Sequence, residues 1–369
     1  MGRSRNKLER VAPLPATWAA LLGLCLVLGA CGQSEQPLPP VSDQAAVQTS
    51  QAAVSATLAR VRARHRLKCG VTDDKPGFSQ RNLTGQWRGF DVDMCRAVAA
   101  AVLGDSRAVS ITPVNSRTRF AALQSGAVDL LSGGASWTFS HDEALGLGFA
   151  SVSYYDGQGF LVRAKGRLRT IGDLDGARIC VLGGASAQQA LADASKARGG
   201  GYQVEPQDTM AQAVEAYRRH ECDALSDDIS VLAGIRAQLG SGAHVILPGS
   251  IADDPLGLMV REDDERWADI VRWTFNALVL GEELQTGMQT VEPLRRDSNN
   301  PAIRRLLGVE GEFGQRLGLS PDWSYRALRQ VGDYGEIYNR NLAGLGLERG
   351  RNALWDAAQP GQLYAPQMR

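Results

Sequence analysis

Short apolar runs alternate with amphipathic stretches over the first third of the chain. The runs at 67–71, 109–114 and 128–132 have the length and composition of buried strands. The stretches at 90–103 and 117–125 repeat apolar residues at helical spacing. This β-α-β-α-β order predicts an α/β lobe with a largely parallel sheet.

The same alternation restarts farther along the chain and predicts a second α/β lobe over roughly 162–255. Its predicted strands are 178–182, 223–228 and 245–248. Its predicted helices are 188–196 and 209–219. A return strand at 256–260 and a long helix at 265–283 follow, and they carry the chain beyond the second lobe.

Polar turns follow several of these strands. The strand at 128–132 runs into a small-residue segment at 132–138, and turns at 183–186 and 226–228 follow strands of the second lobe. Ligands of open α/β sheets bind at the carboxyl ends of strands, so we expect these turns to face one another across a cleft. Such a cleft suits a binding protein and an enzyme equally.

Composition narrows the functional classes. The chain has 40 basic and 40 acidic residues, a formal net charge of +0 and no basic stripe, so we expect no nucleic-acid partner. It carries no P-loop, no nucleophile elbow and no metal-ligand spacing. We therefore expect no cofactor and no metal.

The N-terminus has the pattern of an export signal. Four basic residues within the first ten precede an apolar run at 16–30, which is too short for a stable membrane-spanning helix. The run ends in Leu28-Gly29-Ala30-Cys31, which resembles a bacterial lipobox and predicts lipidation of Cys31. An ordinary secretory signal is the alternative, and both predict export. Residues 32–64 are predicted to form a flexible tether, although 52–66 has helical spacing.

Four cysteines lie beyond the signal and the lipobox: Cys69, Cys95, Cys180 and Cys222. In an exported protein an even number indicates disulfides, and four cysteines allow three connectivities. The most local pairing joins the first two and the last two, which keeps each bridge within one predicted lobe. A metal site is the alternative, but there is no C-x-x-C motif and the four histidines are scattered.

Several motifs together resemble one family. They are Gly85-x-Trp87-x-Gly89-Phe90-Asp91-Val92-Asp93, Arg119-Phe120-x-Ala122-Leu123-Gln124-Ser125-Gly126, Trp137-Thr138, Tyr154-Tyr155-Asp156-Gly157-Gln158-Gly159-Phe160, Gln330-Val331-Gly332-Asp333-Tyr334-Gly335 and Asn352-Ala353-Leu354-Trp355. From about residue 65 to its end, the chain resembles the extracellular solute-binding proteins of polar amino-acid ABC transporters (family 3), and most closely their general L-amino-acid binding subfamily.

The resemblance implies a type II periplasmic-binding-protein-like fold of class α/β. Two lobes would be joined by hinge strands near 157–160 and 255–259, would close around a ligand, and would dock on a membrane permease. The implied division is a lipoprotein signal at 1–31, a tether at 32–64, lobe 1 at 65–160 and 256–369 with a C-terminal helical extension, and lobe 2 at 161–255.

The resemblance also implies a ligand site, position by position. Asp228 would pair with a ligand ammonium, with helix capping as the alternative. Ser186, beside Gly184, would meet the ligand carboxylate, with a plain turn as the alternative. Ser136 keeps the hydroxyl that is usual at its position. Phe78 would cover the ligand, with an ordinary core position as the alternative.

One departure from the family pattern falls at His141, where relatives usually carry an Arg that grips the ligand carboxylate. The segment before Trp137 is also less polar than usual, with Gly133 and Gly134 expected to enlarge the pocket. Histidine offers one bond per nitrogen and is mostly neutral above its pKa, unlike the bidentate arginine. His141 and the backbone at Gly134 are therefore expected to hold the carboxylate less tightly.

The sequence thus predicts a non-enzymatic lipoprotein that captures an amino acid or a related small amine-bearing solute and delivers it to an ABC importer. We expect a monomer, located in the periplasm or at the cell surface, with its lipid on Cys31 in the membrane. One alternative is a transport-incompetent paralogue that acts as a sensor or scaffold. Another is an enzyme with Asp227 or Asp228 as acid and His141 as base.

Overall fold

The computed structural model describes residues 55–73, 75–143, 145–183 and 186–369. These residues belong to one compact unit that spans 50–369. The predicted signal, the lipidation site Cys31, most of the tether and Gly184 lie outside the described residues.

The strands and helices predicted for the first lobe form, but a helix at 56–63 precedes them in the segment predicted as a flexible tether, because Leu58 and Val61 are buried in the lobe 1 core. Its elements are α1 (Ala56–Ala63), β1 (Leu67–Thr72), β2 (Gln80–Arg81), β3 (Trp87–Arg88), α2 (Phe90–Leu103), β4 (Val109–Val114), α3 (Arg119–Gln124), β5 (Leu130–Ser136), α4 (Phe139–Glu143) and β6 (Leu147–Arg163). Strand β1 pairs in parallel with both β4 and β5, which confirms the predicted β-α-β-α-β order. Strand β5 extends to Ser136, beyond its predicted end at 132.

The second lobe also contains its predicted strands and helices. Its elements are β7 (Arg178–Leu182), α5 (Ser186–Ala197), β8 (Gln203–Gln207), α6 (Met210–Arg218), β9 (Ala224–Asp228), α7 (Ile229–Leu239) and β10 (His244–Ile246), followed by the return strand β11 (Ala252–Arg261). Strand β8 was not predicted. It lies at the sheet edge beside β7, is mostly polar and contains Pro206, a residue that edge strands tolerate.

Two long strands join the lobes. The sheet runs in the order β4-β1-β5-β11-β6-β9-β7-β8, and β6 and β11 pair antiparallel at its centre. Strand β6 extends over 17 residues and also pairs with β9 of the second lobe. The two connecting strands confirm the predicted two-lobe α/β fold, while the lobe boundaries along the chain stay predictions.

The C-terminal helices pack on lobe 1. They are α8 (Glu265–Glu283), α9 (Val291–Asp297), α10 (Pro301–Leu306), α11 (Phe313–Leu317), α12 (Trp323–Val331) and α13 (Tyr334–Leu342). The ring of Tyr334 lies 5.6 Å from that of Phe90 on α2 and is fully buried. This apolar contact makes the extension part of the lobe 1 core.

Two disulfides have the most local of the three possible pairings. Cys69 on β1 joins Cys95 on α2, and Cys180 on β7 joins Cys222 just before β9. Each bridge lies within one lobe, so neither restrains the movement of one lobe against the other. Each typically adds about 2–4 kcal/mol of stability.

In the described part of the chain, no helix is long and apolar enough to cross a membrane.

Candidate functional site

Three carboxylates share one face of the central sheet. The register pairs Asp156 of β6 with Asp254 of β11, and Gln158 of β6 with Asp228 of β9. Residues that pair directly, and residues two apart on one strand, project to the same face. The strand pairing therefore brings Asp156, Asp228 and Asp254 together where the two lobes meet.

Asp228 is not used as a helix cap, although it stands at the start of α7. Its side chain accepts no hydrogen bond from that helix. Burial raises the pKa of this carboxyl group well above its usual range, and the neighbouring Asp156 and Asp227 raise it further. A partly buried carboxylate without a hydrogen-bond donor is costly unless a cation joins it, so this position suits a ligand ammonium.

The two neighbouring carboxyl groups differ in their hydrogen bonding. Asp156 accepts bonds from the backbone N–H and the hydroxyl of Ser230 and from the backbone N–H of Gly157. Asp227 accepts a 2.7 Å bond from the backbone N–H of Asp228, and burial raises its pKa to about 6. Asp156 therefore ties β6 to α7, whereas Asp227 shapes the backbone at the end of β9.

On lobe 1, β5 carries a glycine turn with φ of 75° at Gly133 and 68° at Gly134. A Cβ at Gly133 would lie 2.0 Å from Oδ2 of Asp91, and one at Gly134 would lie 2.0 Å from Oγ1 of Thr72. The expectation that these glycines enlarge the pocket is therefore wrong. They instead allow two polar side chains to approach the backbone.

Asp91 is a buried acid beneath this turn. Its side chain is 2% exposed, and its Oδ2 atom has no hydrogen-bond partner. Burial raises the pKa of Asp91 to about 7, although the charge of Lys75 lowers it. Burial therefore favours the protonated form of this carboxyl group far more than solvent would.

Arg119 is the site residue that the sequence analysis missed as a ligand contact. It begins α3, and one guanidinium nitrogen lies 3.9 Å from the Cβ position at Gly134. Its Nε atom is buried without a partner, and burial lowers the pKa of the guanidinium while Asp254 and Asp228 raise it. Inspection of the segment after β4, at the same sheet edge as the other turns, would have found it.

His141 and Ser136 come together at the end of β5. The Nδ1 atom of His141 lies 2.8 Å from the carbonyl oxygen of Ser136, and because a carbonyl only accepts, Nδ1 carries the proton. The imidazole also packs on Phe120, with ring centroids 4.9 Å apart. One ring nitrogen is thus engaged within the protein, which leaves Nε2 for a ligand.

Phe78 and Ser186 occupy different environments. Phe78 is fully buried, with its ring 5.0 Å from that of Tyr154, a placement that corresponds to the core alternative. Ser186 is exposed at the first turn of α5. Gln158 holds that turn by donating to the carbonyl of Ala187 and to the hydroxyl of Ser226.

A cation, Arg119, lies on lobe 1, and a carboxylate, Asp228, lies at the edge of lobe 2. Arg119 and Asp228 are close enough for their charges to act on each other across the cleft. A small ligand with both an ammonium and a carboxylate would satisfy both groups. Among the described residues, no group of three or more His, Cys, Asp or Glu side chains could hold a metal ion.

This fold and site define a two-lobe solute-binding protein. Residues 67–289 match the family described as bacterial extracellular solute-binding proteins, family 3. The chain belongs to this family, which confirms the resemblance read from its motifs.

Relatives of known name match over almost their full length. The glutamate/glutamine/aspartate/asparagine-binding protein BztA of Rhodobacter capsulatus is 43% identical over 322 residues, covering 86% of this chain and 95% of the relative. The general L-amino acid-binding periplasmic protein AapJ of Rhizobium johnstonii is 41% identical over 326 residues, with 87% and 95% coverage.

A solved structure is similar at the level of the whole fold. It is an ABC transporter periplasmic binding protein from Brucella ovis with glutathione bound. Its TM-score is 0.79 at 43% identity, and the match covers 85% of this chain and 99% of that chain.

Proposed function

We propose that this protein captures an amino acid, or a small solute built on one, between its lobes and delivers it to an ABC importer. The observation that carries the proposal is the pair formed by Asp228 and Arg119: each has a side-chain group without a hydrogen-bond partner among the described residues, and the charge of Asp228 raises the pKa of Arg119. The names of its relatives support this ligand class, because amino acids and glutathione all carry an ammonium and a carboxylate.

Each end of the ligand has its own partner. Asp228 receives the ammonium, since its carboxylate has no other donor among the described side chains. Arg119 receives the carboxylate together with the turn at Gly134, and the Nε2 atom of His141 and the hydroxyl of Ser136 lie at the same end of β5. Ser186 contributes from the start of α5. Gly184, which lies outside the described residues, stays a predicted contact.

The proposed function includes a lipid anchor on the protein and delivery of the ligand to a membrane permease. Lipidation of Cys31 would hold the exported chain at a membrane surface, and the tether would leave the lobes free to reach the permease. The protein would act as a monomer without enzymatic activity. Mass spectrometry of the mature protein tests the lipid directly, since an acylated Cys31 and its unmodified form differ in mass.

Calorimetry tests ligand capture. We expect the purified protein to bind at least one of glutamate, glutamine, aspartate, asparagine and glutathione, and Asp228→Asn to lose binding by roughly 100-fold, because the ammonium would lose its charged partner. Asp208→Asn, at an exposed acid of lobe 2, is the matched control. A folded wild-type protein that binds none of the five at millimolar concentration would contradict the proposal.

A further inference from the structure

Lys75 holds a buried ammonium beside the carboxyl groups that lie where the two lobes meet. The residue follows β1 in lobe 1 and is only 7% exposed. Its Nζ atom lies 4.0 Å from Oδ2 of Asp156 and 4.3 Å from the centre of the Phe78 ring. The Nζ atom makes no hydrogen bond to any described residue, and its ion pair with Asp156 is too long for one, so its three N–H donors stay available.

The carboxyl groups that interact with Lys75 or with one another come from four elements. They are Asp91 on α2, Asp156 on β6, Asp227 and Asp228 on β9, and Asp254 on β11. The charge of Lys75 lowers the pKa of the first four, and the charge of Asp254 raises the pKa of the three on β6 and β9. Lys75 therefore partly neutralises an acidic floor that extends from lobe 1 to lobe 2.

The positive charge of Lys75 affects which ligand side chains bind well. A ligand that meets Asp228 and Arg119 through its ammonium and carboxylate extends its side chain within the same group of charges. A second positive charge on that side chain would be attracted by the acidic floor and repelled by Lys75. At 4–6 Å in a partly buried site, one unit charge changes affinity by about tenfold or more.

We propose that Lys75 sets the charge selectivity of the cleft: it supplies the cation that the acidic floor requires, and thereby disfavours amino acids with a cationic side chain. This rests on the proposed function, because it assumes that an amino acid occupies the cleft. A neutral or acidic side chain with an oxygen acceptor can instead receive a hydrogen bond from the ammonium.

Calorimetry of Lys75→Met against the wild type, with glutamine, glutamate, lysine and arginine as ligands, tests the proposal. Work at about pH 8 keeps Asp91 mostly ionised, since burial raises the pKa of this carboxyl group to about 7. We expect the affinity for lysine and arginine to rise by roughly tenfold or more relative to glutamine, and that for glutamate to fall. Lys75→Arg, which retains the charge, should keep the wild-type order.

The control is Lys68→Met, which removes an exposed lysine from neighbouring β1 and should leave all four affinities unchanged. If Lys75→Met does not fold, Lys75→Gln carries the same test. An equal change for all four ligands would overturn the proposal, because it would indicate a structural role. If the wild type binds glutamine and Lys75→Met leaves the ratio of affinities unchanged, this inference alone is defeated. If neither protein binds these four ligands, nor aspartate, asparagine or glutathione, the proposed function is defeated as well.

Discussion

Arg119 and His141 divide a role that the family pattern assigns to one arginine. The guanidinium of Arg119 points to the glycine turn and has a buried, unpartnered Nε atom. His141 already donates its Nδ1 proton to Ser136. Under the proposed function, Arg119 on a different helix is the permanent positive charge that a ligand carboxylate would meet in place of a cation at position 141.

We expect Arg119→Gln to weaken binding of amino acids by roughly 10- to 100-fold, because a charge-assisted bond to the carboxylate is lost. His141→Ala should cost less than about tenfold, since only one neutral contact is removed. Calorimetry with the best ligand measures both. Arg117→Gln, at an exposed arginine two residues earlier, is the control, and a larger loss in His141→Ala than in Arg119→Gln would reverse the assignment.

Asp91 makes stability depend on pH. Its folded-state pKa rises from 3.8 to about 7, so between these values the folded protein holds a proton that the unfolded chain has released. The contribution of Asp91 to stability therefore falls as pH rises through this window and is least favourable above about 7.

Asp91→Asn keeps the side chain neutral at every pH. We expect its free energy of unfolding to exceed that of the wild type by roughly 2–4 kcal/mol at about pH 8, with the gain vanishing near pH 4. Denaturant unfolding of the ligand-free proteins at the two pH values measures the difference. Asp208→Asn should show no such dependence, and a gain of equal size at both pH values would disprove the role of ionisation.

At the level of elements, the connecting strand β6 is braced by the C-terminal extension. The side chain of Asn352 accepts from the backbone N–H of Tyr155 at 2.7 Å and donates to its carbonyl at 3.0 Å, as a paired strand would. Arg351 adds contacts to the carbonyl of Asp156 on β6 and to Asp253 on β11. One short segment thus holds both strands that join the lobes.

Asn352 is 3% exposed, so Asn352→Ala should leave both backbone groups of Tyr155 without a partner. We expect a loss of roughly 2–4 kcal/mol in the free energy of unfolding, measured by denaturant titration. Asn299→Ala, at an exposed asparagine, should change little. A loss of similar size in both variants would show that the pairing with Tyr155 is not the cause.

At the level of the whole molecule, the predicted lobes make a close contact with each other. A Cβ placed at Gly234 of α7, in lobe 2, would lie 3.0 Å from Cγ of Pro76 in lobe 1. Glycine at this helical position therefore allows the two lobes to approach. The described arrangement also includes a bond from Arg236 of α7 to the carbonyl of Leu345 in the extension.

Gly234→Leu should hold the two lobes apart, because the new side chain would clash with Pro76. We expect the protein to fold, because leucine favours a helix, but to bind its ligand at least about tenfold more weakly, since the lobes cannot close fully. Small-angle scattering should detect no compaction when ligand is added, in contrast to the wild type. Gly242→Leu, where a Cβ would meet nothing within 4 Å, is the control. Normal compaction of Gly234→Leu would contradict the role of this contact.

Much of the fold could be predicted from the sequence, because apolar spacing reports which residues must be buried. The helix at 90–103 and the long helix at 265–283 were predicted with the ends that the structure has. Strand β8 could not be recognised, since an edge strand needs little apolar character. The site was only partly predictable, because its charged residues come from four or more separate elements.

The sequence by itself determined the two α/β lobes and the family, since these follow from periodic burial and contiguous motifs, whereas it left three disulfide pairings open and the structure selected the most local one. Only the tertiary structure decided that Arg119 faces the turn at Gly134, that Lys75 sits among carboxyl groups of several strands, and that Phe78 lies in the core. The physical reason is that electrostatic and packing contacts depend on distance in space, which strand register and lobe closure set and which separation along the chain does not reveal.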